Sequence, residues 1–115
     1  MPLEAAFAAL TIGDGVAHGV VRRAHARRLC EGHFPGEPIV PGAHLAGLMA
    51  ELAAALVAPT AVLAALERCA FLTRVTPEDE IVVSARRLAA TRVEAEVRRR
   101  GACAARATLR FSTDA

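Results

Sequence analysis

Two stretches near the C-terminus leave this chain little choice of architecture. Arg92-Val93-Glu94-Ala95-Glu96-Val97-Arg98 and Arg106-Ala107-Thr108-Leu109-Arg110-Phe111 alternate strictly between polar and apolar residues. A period of two puts every apolar side chain on one face of an extended strand, so both belong to an antiparallel sheet with one wet side. Leu63 to Val75 and Glu80 to Leu88 read as further strands, joined by a turn at Thr76-Pro77-Glu78-Asp79. The dry face of such a sheet needs a cover. One is offered from Pro41 or Gly42 to about Val57, closed by Pro59: on a helix, Leu45, Met49, Leu52 and Leu56 share a face, with Leu48 beside them. One helix laid across an antiparallel sheet is an α+β arrangement.

The rest of the chain is less regular. Pro2 to Leu10 reads as a short helix, broken at Gly13-Asp14-Gly15. Val16 to Leu29 reads as extended, with Gly19 marking a bulge or a close approach. Proline and glycine dominate from Gly32 to Gly42 and exclude a regular element there. Without repeats or a linker, residues 1–115 are expected to form one domain. Aromatic residues are 3% of a chain that is 54% hydrophobic, so the core must be built from Ala, Val and Leu. The 27 alanines suggest close backbone approach, and a unit of this size gains burial by oligomerising.

Several function classes recede. The three cysteines, at 30, 69 and 103, are widely spaced, which fits a reducing compartment. Cys30 and His33 find no second pair to complete a metal site. The longest uncharged apolar run, Pro38 to Ala50, is too short for a membrane span, and the opening MPLEAAFAALTIGDG lacks a basic signal-like region. A cytoplasmic protein is expected. All 14 basic residues are arginine, and eight of them fall between Arg86 and Arg110. They suit either an acidic partner protein or a plain solvated strand face. Nucleic acid is disfavoured because stacking aromatics are nearly absent.

The segment His33-Phe34-Pro35-Gly36-Glu37-Pro38-Ile39-Val40-Pro41-Gly42 resembles the HFPGxPxxPG signature of hot-dog-fold 3-hydroxyacyl-acyl-carrier-protein dehydratases. More loosely, Phe71-Leu72-Thr73-Arg74-Val75-Thr76-Pro77-Glu78-Asp79 is similar to the family's F-x-x-P-V-x-P-G-D, with Arg74 for its first proline and Glu78 for its glycine. The resemblance covers roughly residues 25 to 83. It implies a hot-dog fold, a curved antiparallel sheet wrapped around one long central helix. It also implies two subunits sharing two sites, as a homodimer or as a heterodimer with another hot-dog chain. The substrate would be an acyl chain on the phosphopantetheine of an acyl carrier protein, with no cofactor held by the chain itself. Phe34, Ile39 and Pro41 would line the substrate's path. In the family, the signature histidine works with a carboxylate on the partner's helix, fourteen positions after the partner's own histidine. Here that position is Gly47.

Dehydrating a 3-hydroxyacyl thioester needs a base for the α-proton, donors for the enolate-like oxygen and an acid for the departing hydroxyl. His33 suits the first task. The amides at the helix start near Gly42 suit the second, where a glycine allows close approach. The acid is open. Glu51 lies on one line with His44 and Gly47, at i+7 and i+3 from His44; leaning toward the helix N-terminus, it would cross the rise of about 6 Å back over the bare glycine. His44 is a second candidate, or an interface residue. The family usually has glutamine at position 51, so a glutamate there is suggestive, though it also fits an exposed residue pairing with arginine. The remaining readings are a carboxylate from a different partner chain, a non-catalytic acyl-binding subunit, and thioester hydrolysis with Glu51 as base. Acyl length and pathway, fatty acid or polyketide among others, are not legible.

Overall fold

The alternating stretches do form strands, and they pair with each other. In the computed structural model, which describes residues 2–31, 36 and 38–113, β5 (Arg92–Arg99) lies between β4 (Ile81–Ala89) and β6 (Ala102–Ser112). Six strands make one sheet in the order β1-β2-β4-β5-β6-β3, every pair antiparallel, with β1 Phe7–Gly13, β2 Val16–Val21 and β3 Val62–Phe71. The apolar alternates Val83, Ala85, Val93, Ala95, Val97, Ala105, Ala107 and Leu109 are all buried, as a sheet with one covered face requires.

The cover is α3, Gly42–Ala54, which packs on β4, β5 and β6. Leu45, Leu48, Met49 and Leu52 are almost fully buried, and Leu56 follows them beyond the helix end. Each such side chain contributes about 1.5–3 kcal/mol by leaving water. The helix is shorter than the long central element expected. It has 13 residues and stops at Ala54, because the amides of Ala55, Leu56 and Val57 turn back to carbonyls three residues earlier.

Two N-terminal expectations are overturned. Helix α1 spans only Leu3–Ala6, and the chain becomes β1 at Phe7, whose buried ring is worth more against the sheet than in a solvated helix. Asp14 (φ 53°) and Gly15 (φ 73°) do not merely break a helix; they make the two-residue hairpin turn from β1 to β2. The extended reading of Val16 to Leu29 holds only to Val21. Arg23–Leu29 is a second helix, α2, with His25 and Ala26 buried.

Gly19 marks a close approach, as expected. A Cβ built there would stand 3.1 Å from Phe7 Cβ and 3.3 Å from Leu10 Cδ1. Gly19→Val is therefore expected to overpack the β1–β2 pair and cost about 1–3 kcal/mol in chemical denaturation. An unchanged midpoint would show that β1 yields freely.

Candidate functional site

The two segments that carry the family resemblance meet in space. The Val40 amide donates to the Val75 carbonyl at 2.8 Å, tying the run into α3 to the chain that leaves β3. Pro41 then caps the helix in extended backbone, and its carbonyl accepts from the His44 and Leu45 amides at 2.9 and 3.1 Å. The amides of Gly42 and Ala43 come before any intrahelical acceptor and sit at the positive end of the helix dipole. Over them lies Phe71, the last residue of β3. Its ring carbons are 3.3 Å from where a Cβ at Gly42 would be, while the side chain is otherwise half exposed. Glycine at this helix start lets the Phe71 ring pack close on the backbone, where any side chain would press against it.

Asp79 fixes the segment from below. It is buried, and its carboxylate accepts from the Thr76 amide at 2.9 Å and from Arg99 Nε at 3.0 Å. Burial alone would raise its pKa, but the Thr76 amide and the Arg99 guanidinium outweigh it and hold the carboxyl below its ordinary value. The departures from the family pattern also find an explanation. Glu78 is not in left-handed backbone, so no glycine is needed there. Its carboxylate instead reaches Arg27 at 3.1 Å and Arg23 at 3.9 Å, fastening α2 to this turn.

The candidate residues are distributed as follows. Gly42 and Pro41 form the helix start, and Ile39 is half-buried just before it. His33 and Phe34 lie outside the described residues. His44 is half-buried in the first turn of α3. Gly47 and Glu51 lie on the exposed side of the helix, and a Cβ added at Gly47 would meet nothing within 4 Å. The position where the sequence resemblance expects a carboxylate thus has no described residue against it, and Glu51 is exposed one turn further along the helix.

Sequence reasoning missed His25. It was read as part of a strand; instead α2 buries it to 7% exposure, where it feels the charges of both Glu51 and His44. Burial, then Arg28, lowers its pKa from 6.5, with Glu51 opposing. A depressed pKa means that the folded state favours the neutral ring. The corresponding stability is whole above pH 6.5 and lost as pH falls through the lower folded value. In an NMR titration the midpoint of His25 is expected below 6.5; a midpoint above 6.5 would contradict its burial in α2.

Strand β3 is an open edge of the sheet. Val62, Leu63, Leu66 and Phe71 on it, and Leu72 just after it, are 38% to 65% exposed. An apolar edge of this kind invites another chain. Because Phe71 ends this strand and touches Gly42, whatever covers the edge also borders the helix start. Among the described residues no helix is long and apolar enough to cross a membrane.

Comparison with known proteins agrees with this geometry. The family model for ApeI-like proteins, described as ApeI dehydratase, matches residues 17–107. No curated protein matches the sequence. Among solved structures, the dehydratase heterocomplex ApeI:P from Xenorhabdus doucetiae is similar in fold (TM-score 0.74, 16% identity, 86% of this chain and 88% of that one). So is Cj0977, a sigma28-regulated virulence protein from Campylobacter jejuni (TM-score 0.75, 15% identity, 100% and 89%). A mutant of the thioesterase PA1618 from Pseudomonas aeruginosa is more distant (TM-score 0.52, 19% identity, 88% and 77%). These likenesses establish a hot-dog-like fold.

Proposed function

Because the chain belongs to the ApeI-like dehydratase family, we propose that it dehydrates a 3-hydroxyacyl thioester on an acyl carrier protein, acting as one subunit of a two-chain hot-dog assembly. His33 of this chain takes the α-proton. The amides at Gly42 and Ala43 hold the enolate-like oxygen. A carboxylate on the helix of the other subunit protonates the hydroxyl, which leaves as water and gives the trans-2-enoyl thioester.

One observation carries this reading: among the described residues, no atom lies within 4 Å of where a Cβ at Gly47 would be. In a symmetric pair of these chains, neither site would contain the family's acid. Paired with a chain that has the carboxylate, the assembly holds one complete site, made from this chain's His33 and the other's acid. The bare edge of β3, adjoining the helix start, supports a second subunit at that place, as does the fold likeness to a dehydratase heterocomplex.

The test is steady-state dehydration of a 3-hydroxyacyl carrier thioester by this protein alone and with a second hot-dog chain that carries the helix carboxylate. Turnover is expected only in the mixture. Should the protein turn over alone and lose roughly 10²–10⁴-fold on Glu51→Gln, the acid lies in this chain and the two-chain site is wrong.

A second reading, thioester hydrolysis with Glu51 activating water, is favoured by the glutamate at position 51 and the fold likeness to a thioesterase. Free thiol released from an acyl thioester lacking the 3-hydroxyl would select it.

A further inference from the structure

On the face of the sheet turned away from α3, a groove of about 580 Å³ crosses from β2 to β3. This is the size of sites that take metabolite-sized ligands. Its polar lining is Ser84, Arg86, Glu94, Glu96, Arg106 and Thr108, with Arg68 of β3 at one end and buried alanines between them.

The charges on this face are unbalanced. Three glutamates lie there, and each is held by another arginine. Glu94 accepts from Arg86 Nε at 2.9 Å, Glu96 from Arg98 Nε at 2.7 Å, and Glu67 pairs with Arg92 at 3.1 Å and Arg110 at 3.9 Å. Register places Glu96 directly opposite Arg106, the cross-strand pairing that would ordinarily be used, yet the carboxylate turns to Arg98 on its own strand. Among the described residues, Arg68 and Arg106 are left without a carboxylate partner.

Arg68 also has an unusual backbone. The register of β3 against β6 shifts between Glu67 and Ala70, and within that bulge Arg68 sits at φ 52°. Left-handed backbone is uncommon for a residue other than glycine, and a bulge re-aims the side chains it holds. Ala70 pairs with Arg106 and Glu67 with Thr108, so the bulge sets Arg68 beside the stretch that carries Arg106 and the Thr108 hydroxyl. Two guanidiniums on neighbouring strands, flanked by hydroxyls, suit a phosphate group, which accepts bidentate hydrogen bonds in the plane of each fork.

We propose that this groove is a binding site for a phosphorylated ligand of metabolite size, its phosphate held between Arg68 and Arg106. The site is separated from the helix start by the thickness of the sheet. Its test therefore does not depend on the dehydratase reading.

The experiment is isothermal titration of the purified protein with inorganic pyrophosphate at low salt, repeated with Arg68→Gln, Arg106→Gln and Arg23→Gln. The last removes equal charge from α2, away from the groove. Thermal unfolding confirms that each variant is folded. Binding is expected for the wild type and for Arg23→Gln, and should weaken about tenfold or more in each groove variant, about 1.4 kcal/mol. In the wild-type protein the amide signals of Ser84 and Thr108 should shift with pyrophosphate. No binding at millimolar pyrophosphate would overturn the site, as would equal weakening by Arg23→Gln, which signals only net charge. Succinate binding as tightly as pyrophosphate would overturn the assignment to phosphate.

Discussion

His33→Ala, made in the two-chain assembly, is expected to lower dehydration of a 3-hydroxyacyl carrier thioester by roughly 10²–10⁴-fold. The loss should fall on kcat with KM little changed, because in the proposed mechanism the imidazole moves a proton while the thioester is held at the helix start. That separation comes from the fold. Pro41 ends an extended segment anchored on Val75 through Val40, and its carbonyl closes the first turn of α3, so the helix start is set by contacts that do not involve position 33. The matching variant of the other subunit's histidine should matter far less, since that histidine would face the empty position at Gly47. Single-turnover rates with each half-mutated assembly distinguish the two. Equal losses from both histidines would mean that both sites work and that the asymmetry is wrong.

The second large effect concerns Asp79. Asp79→Ala removes the acceptor of the Thr76 amide and leaves Arg99, 25% exposed at its side chain, without its buried partner. The expected cost is about 3 kcal/mol, at the lower end for a broken buried pair because Arg99 still reaches water. In a domain this size that is a fall in melting temperature of roughly 10 °C. Asp79→Asn separates charge from hydrogen bonding. The Asp79 carboxyl is held below its ordinary 3.8, so its stabilisation is complete above that pH and is lost as pH falls through the lower folded value. The Asn variant should lack that share of the acid-side loss when denaturation midpoints are followed between pH 5 and pH 2. A wild-type and an Asn profile of identical shape would show that the carboxylate's charge contributes nothing. The consequence also reaches the site: Thr76 adjoins Val75, Val75 holds Val40, and Val40 leads to the cap of α3.

How far the sequence could be read depended on whether one strand or helix decided its own fate. The β5 and β6 alternations did, since a single wet face is written into every second residue, and both alternating stretches lie wholly within the strands observed. The leucine stripe of α3 likewise named its buried face, though not its end, because Leu56 is buried from a tightened turn as well as it would be from a helix. The N-terminus failed where a tertiary partner decided. Pro2 to Leu10 has helical residues, but Phe7 and Val21 are register partners, and that pairing overrode local preference. The hairpin signal was present in Asp14-Gly15 and was read only as a breaker. His25 was hidden for a related reason: α2 is short, and its burial comes from tertiary packing that no local pattern displays. Near the proposed site, the start of α3 at Gly42 was legible because the sequence before it is dense in proline and glycine. The acid was not, because the residue that supplies it is proposed to belong to another chain.

The most direct test is Gly47→Glu in this protein by itself. Fold should not suffer: a Cβ at position 47 meets none of the described residues within 4 Å, and replacing glycine inside a helix is worth about 0.5–1 kcal/mol. If position 47 faces the histidine of a neighbouring chain, the variant should dehydrate a 3-hydroxyacyl carrier thioester without a partner, at least about 10²-fold faster than the unaltered protein. A folded, dimeric Gly47→Glu protein with no gain in turnover would contradict the shared site.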